Sequence, residues 1–218
     1  KGPSVAFVAT DGRRLHVALA EIDQDTDNAA VIVPDRAMAT ISRVAAAHPD
    51  EPVQLELAGT ELVASVGDTR VFVRLLEGRF PRWLDVIPEP IRPRFGVDDD
   101  ETYSEAPAHA EVFAGDLLAA VRQAGIVTSE QSKGVAFRFG DDLTLTSQSS
   151  EYGESLVSCD LTVSGPVTEV KLDPVFVTQW LRPLDTQSVV EVFATDAQSA
   201  VVLRHDDQLC VVMPLAVD

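Results

Sequence analysis

Apolar and polar residues alternate along most of the chain, through VAFVAT, LHVALAEI, AAVIVP, VQLELAG, ELVASVG, RVFVRLLEG, GVAFRFG, LTLTSQ, SLVSCDLTV, VVEVFAT, AVVLRH and LCVVMPL. A period of two turns one side of each run toward a core, so each predicts a short strand. Turn residues separate them: Asp11–Gly12, AGTE around Gly59, GDT at Gly67 and GDD at Gly140.

Three segments change to helical spacing. In PDRAMATISRVAAAH, proline falls near the first turn, and Met38, Ile41, Val44 and Ala45 form one apolar stripe with Arg36 and Arg43 opposite. GDLLAAVRQAGIVTSE turns Leu117, Leu118 and Val121 inward and leaves Arg122 on the flank. DPVFVTQWLRPL begins with Asp-Pro as N-cap and first helical residue, and its pattern buries Phe176, Val177 and Trp180 with Arg182 outward.

Each helix is followed by three strand patterns, so a helix-then-strands unit is used three times. Repeats of this kind pack side by side, with helices on one surface and sheets on the other, which predicts an α+β fold. Between residues 88 and 114 the chain turns rich in proline and acid, through IPEPIRPRFGVDDDETYSEAPAHAE. That segment reads as a linker, and it places a domain boundary near residue 90.

Composition narrows the function classes. With 45% hydrophobic and 24% charged residues the 218-residue chain has the balance of a soluble globular protein, and no apolar run approaches the ~18 residues of a membrane span. Lys1 leads directly into a strand, without a basic and apolar leader, as expected for the later part of a longer chain. A formal net charge of -18 disfavours a static grip on polyanions over the whole surface but permits a locally basic one. Cys159 and Cys210 sit in alternating apolar runs, which fits buried reduced thiols and a cytoplasmic setting.

Motifs of catalysis do not stand out. The sequence contains neither GxxxxGK[ST] nor GxGxxG for phosphates, and no GxSxG elbow. His16, His48, His109 and His205 are scattered, without HExxH or paired-cysteine spacing, so no metal site and no cofactor are expected. The run Asp98–Glu101 lacks the spacing of a calcium loop and reads as a solvated turn. Residue types alone leave open a hydrolase whose site is dispersed in sequence, or a β-rich binding module.

Five pieces, in order, carry a resemblance: VATDGRRLHVA, VIVP heading a helix, LEGRFPRW, GIVTSEQSKGVAF and the terminal VVMPL. They are similar in order and spacing to the second half of the bacterial DNA sliding clamp, the beta subunit of DNA polymerase III. The resemblance implies a DNA-clamp fold, a non-enzymatic processivity factor, helices lining the hole of a two-subunit ring around duplex DNA, and sheets outside. Residues 1 to about 90 then correspond to most of the second clamp domain without its first unit, and residues 91–218 to the third.

The resemblance also implies a cleft for a short linear peptide from polymerases, the clamp loader and mismatch-repair proteins. Carried over residue by residue, it is lined by Thr10, Gly12, Arg13, Arg14, Leu15, Pro81, Val86, Val211, Met213, Pro214 and Leu215. Arg36, Arg43, Arg122 and Arg182 would face DNA, and Ile126 and Val127 would belong to the interface between subunits of a homodimer. Asp85 stands where the family commonly has a basic residue, and the tail runs on as AVD.

Overall fold

The computed structural model describes residues 3–23, 29–88, 106–128, 134–159 and 161–216. The chain forms two compact units, one of residues 25–81 and a larger one of residues 1–24 with 82–218.

The smaller unit holds α1 (Asp35–Ala47) followed by β3 (Gln54–Ala58), β4 (Glu61–Val66) and β5 (Thr69–Arg74), which pair in that order as an antiparallel sheet. Pro34 caps α1, where its missing N–H removes no helical hydrogen bond. Gly59 (φ +63°) and Gly67 (φ +54°) make the two hairpin turns in the left-handed region that other residues enter at a cost. The core here is small: Ile41 from the helix meets Leu62, Ala64 and Val73 from the sheet. Of the predicted α1 stripe, Met38, Val44 and Ala45 are only half-buried. AAVIVP, expected as a strand, contributes a single bridge between Ile32 and Leu76. Pro34 follows at once, and with no N–H to donate it ends any ladder there.

The larger unit opens with a hairpin, β1 (Ser4–Thr10) and β2 (Arg14–Glu21). A 3-10 turn at Trp83–Val86 precedes β6 (Ala108–Phe113), α2 (Ala114–Gly125), β7 (Val135–Phe139), β8 (Leu143–Ser149), β9 (Gly153–Cys159) and the short β10 (Val163–Ser164). Next come β11 (Thr168–Leu172), α3 (Pro174–Leu181), β12 (Val189–Ala194), β13 (Val201–His205) and β14 (Gln208–Val212). Seven strands form one sheet in the order β1-β2-β14-β13-β12-β6-β10, and four form a second in the order β11-β7-β8-β9.

The two strands that lead into helices exchange sheets: β6 pairs with β12 from the later repeat, while β11 pairs with β7 from the earlier one. Each repeat thus completes the other's sheet. One core joins them, with Leu117, Val121 and Ala124 of α2 and Val177, Trp180 and Leu181 of α3 against Ala110, Val192 and Leu203 of one sheet and Phe137, Leu145 and Val170 of the other.

Several expectations change at this level. The end of the segment expected as a linker is the strand β6, in register with all six residues of β12. The pattern AHAEVF alternates, with Ala108, Ala110 and Val112 buried, but two of its three core positions are alanine and carry little hydrophobic signal. β11, TEVKL, is a second unforeseen strand. Residues 89–105, including Asp98–Glu101, and the last two of the tail lie outside the described residues. Helix α2 stops at Gly125, short of the expected IVTSE extension. In α3, Val177, Trp180 and Leu181 are buried, whereas Phe176 is half-buried. The edge of β2 is hydrogen-bonded to β14, so the first hairpin extends the sheet formed by the later residues.

Candidate functional site

The turn between β1 and β2 is held by its own side chains. Thr10 Oγ1 donates to the Arg14 carbonyl at 2.7 Å and accepts from the Gly12 N–H at 3.1 Å. Gly12 has φ +83°, a conformation that a β-carbon disfavours. Asp11 Oδ1 accepts the N–H groups of Arg13 (3.0 Å) and Arg14 (3.1 Å), and Oδ2 accepts from Arg14 Nε at 3.0 Å. Partial burial pushes the Asp11 carboxyl up, but these backbone hydrogen bonds and the guanidinium outweigh it and hold the group below its ordinary value.

Arg14 also donates from Nη1 to Gln179 Oε1 at 2.5 Å and lies 4.6 Å above the centre of the Phe176 ring. The resemblance has both Arg13 and Arg14 line the cleft. Arg14 instead ties the turn to α3, and the exposed Arg13 is the side chain free to meet solvent.

Strand pairing brings the two ends of the chain together. Leu15 is the register partner of Val211, and Arg14 of Val212. Leu15 and Val211 face the same side of the seven-stranded sheet and are buried in one cluster with Val17, Ile87, Phe193, Val202 and Leu209. Trp83 and Leu84 of the 3-10 turn pack on that cluster. The turn leaves Val86 38% exposed, and the tail leaves Met213 40% exposed.

The tail is fixed at two points. Met213 N–H donates to the Arg13 carbonyl at 2.9 Å, and Leu215 N–H to the Lys171 carbonyl at 2.8 Å. Gly134 accommodates it, because a β-carbon there would run into the Lys171 side chain and come within 2.9 Å of Leu215 Cδ1. The structure therefore gathers Thr10, Gly12, Arg13, Arg14 and Leu15 with Val211 and Met213, beside the turn that carries Val86, while Pro214 leads the tail on to Leu215, which lies against Lys171 and Gly134. Pro81 is exposed at the end of the smaller unit. Asp85 pairs with Arg82 at 2.9 Å, an (i, i+3) contact within the 3-10 turn.

Sequence reasoning missed Trp83, Leu84 and Ile87, which seat the 3-10 turn on the sheet, and Gln179 and Phe176 as partners of Arg14. The apolar spacing of WLDVI carried a signal for the first group. For the second no local signal exists, because Arg14 and Gln179 are 165 residues apart.

Arg36, Arg43, Arg122 and Arg182 are all exposed. Arg43 reaches back along its own helix to the Ala39 carbonyl at 3.3 Å and Thr40 Oγ1 at 3.4 Å. Arg122 is in the last turn of α2 and Arg182 caps α3. Just past α2, Ile126 is 76% exposed and Val127 is half-buried.

The perturbed carboxylates sit at separate turns. Asp142 is lowered by hydrogen bonds from Ser158 and Thr144, and Asp196 by Ser199 and the Gln198 backbone. Asp142 ties its turn to Ser158 of β9 and Asp196 ties its own turn, and the two do not converge on one cleft, so the arrangement gives a dispersed hydrolase site no support. Among the described residues no helix is long and apolar enough to cross a membrane.

Helix-plus-strands units that exchange leading strands, with helices packed against antiparallel sheets, define a DNA-clamp fold. The chain resembles part of the bacterial sliding clamp. Residues 1–82 match the family described as DNA polymerase III beta subunit, central domain. Over 99% of its length the chain is 27% identical to the beta sliding clamp of Escherichia coli K12, covering 55% of that protein. It is 25% identical over 97% of its length to that of Chlamydia trachomatis, covering 47%. The chain thus spans about half the length of the curated relatives it matches. In structure it is similar to the DNA polymerase III beta subunit of Thermotoga maritima, with TM-score 0.84, 21% identity, and coverage of 100% of this chain and 56% of the other. The sliding clamp of Bacillus subtilis gives 0.82, 18%, 99% and 54%.

Proposed function

We propose that this chain is the C-terminal part of a DNA polymerase processivity factor, a sliding clamp that in complete form closes as a homodimeric ring around duplex DNA. It carries no catalytic step and no cofactor, and it works in the cytoplasm. Residues 1 to about 90 serve as most of the second clamp domain and 91–218 as the third.

The wall at the first hairpin and the tail is a docking site for a short linear peptide of DNA polymerase III, other polymerases, the clamp loader and mismatch-repair proteins. The observation that carries this reading is the β2–β14 register, which sets the TDGRRL turn beside VVMPL although they lie near opposite ends of the sequence. Leu15 and Val211 form the rigid floor. Met213 and Val86 remain partly exposed above it, and the adaptable thioether suits peptides of differing sequence. Each anchor buried contributes ~1.5 to 3 kcal/mol gross. Two or three anchors, less the cost of association, give exchangeable binding of about micromolar strength, which suits partners that take turns.

Arg36, Arg43, Arg122 and Arg182 supply register-free phosphate contacts that allow sliding, since such contacts read no bases. Ile126, exposed to a degree unusual for isoleucine, belongs to the contact with a first domain of the partner subunit. The test is titration of a fluorescent QLxLF-type peptide against this chain and its Met213→Ala, Leu215→Ala double variant. Saturable binding that weakens at least about tenfold in the variant supports the site, since two truncated anchors forfeit more than ~1.4 kcal/mol. Equal binding to both proteins removes it.

A further inference from the structure

A second cluster of functional groups lies farther across the seven-stranded sheet, on β6 and β12, and adjoins the apolar cluster of the hairpin through Phe193. His109 and Glu111 are two apart on β6 and so share one side of the strand. Glu191 of β12 is the direct register partner of Glu111. One ligand atom from each of His109, Glu111 and Glu191 lies within 4.8 Å of the others. The spacing of histidines along the sequence gave no hint of this, because the third group belongs to a strand of the later repeat.

Three features argue that the cluster is organised around a cation. Two carboxylates directly opposite across an antiparallel pair repel one another, and an ion held by both would relieve what the Arg204 contact to Glu191 leaves of that repulsion. Arg204, the register partner of Glu191 on its other side, pairs with Oε2 of Glu191, and Oε1 of Glu191 lies 3.4 Å from His109 Nε2. The His109 ring is fixed by stacking on Phe193, with centroids 4.6 Å apart and planes 15° from parallel, and its Nε2 is buried without a hydrogen bond. An imidazole nitrogen oriented by packing and left unsatisfied beside two carboxylates is the donor set of a transition-metal site rather than a magnesium or calcium cage. The open side is a depression of about 390 Å³ lined by His109, Glu111, Thr162 and Ser164, with room for the waters that complete a coordination shell.

We propose that His109, Glu111 and Glu191 bind one divalent transition ion, of which Zn²⁺ is the representative, at a solvent-open site on the neighbouring strands β6 and β12. The neighbouring Arg204 charge opposes the ion, so the affinity is moderate and the ion exchangeable. A bound ion bridges β6 and β12, the pairing through which the two repeats complete each other's sheet.

Calorimetric titration of the metal-free chain with Zn²⁺, with Co²⁺ absorption as a second probe, tests the site. The expected result is one ion per chain, binding at least about tenfold weaker in Glu111→Gln and in His109→Gln, and no change in His48→Gln. Circular dichroism of each variant establishes that it is folded; should His109→Gln unfold, the exposed Glu111→Gln decides alone. No saturable Zn²⁺ binding, or binding unchanged in Glu111→Gln, overturns the proposal.

Discussion

His16 and Cys210 face each other across the β2–β14 pair, and burial sets the ionisation of both. The His16 imidazole is held below its ordinary value, first by burial and then by the Arg14 charge, with Asp11 opposing. A folded-state value lower than the unfolded one means that the unfolded chain binds the extra proton first, so stability is lost as pH falls below about 6.5. His16→Gln is expected to flatten the slope of denaturation midpoint against pH between about 7 and 5, checked by urea titrations at each pH. Burial pushes the Cys210 thiol up to about 12. In a Cys159→Ser variant, a maleimide at pH 8 is expected to leave the native chain unlabelled and to label the denatured chain once, as mass spectrometry would reveal. Of the two cysteines expected to be buried, Cys210 is buried and Cys159 only half-buried, since it ends β9 at the margin of the core. The role of Arg14 was not legible, because Gln179 and Phe176 become its neighbours only when β2 lies against α3.

Among the elements, α3 is short, and its start depends on one side chain. Asp173 Oδ1 accepts the Val175 N–H at 2.9 Å, with Pro174 at the first helical position. Asp173→Ala is expected to lower stability by about 1 kcal/mol, read from a shift in chemical-denaturation midpoint. This cap was legible in the sequence, since Asp-Pro is a local signal. β6 was not legible, because acid, proline and alanine around it read as loop while its place is decided by the partner strand β12. Element stability also differs between the units. α1 buries only Ile41, and β3 leaves Leu55 and Leu57 exposed, whereas α2 buries Leu117 and Val121 completely. Amide hydrogen exchange should therefore be faster in α1 and β3 than in α2 and β7, because fewer buried apolar neighbours resist local opening. Equal protection in the two units would contradict this ranking.

At the scale of the whole molecule, a strongly acidic chain presents a few exposed arginines on its helices. If Arg36, Arg43, Arg122 and Arg182 contact phosphate, their joint replacement by alanine should flatten the dependence of log K on log salt for duplex binding by about 0.9 for each phosphate no longer neutralised. Fluorescence anisotropy at several salt concentrations measures this, and an unchanged slope would assign the arginines to ordinary surface. The repeats were legible at this scale. The three helices coincide with the segments that changed period, α2 beginning one residue early at Ala114, and the strands of each repeat follow in order, because amphipathic periodicity is a local property that folding preserves. The sequence by itself therefore determined the kinds of element, their order, the α+β class and the resemblance to a clamp. Only the tertiary structure decided which repeat lends its leading strand to which sheet, and that Arg14 is spent on α3. It alone also made neighbours of His109, Glu111 and Glu191. Strand pairing is a non-local choice, set by which edge is free and which side chains fit across it, and no window along the chain contains that information.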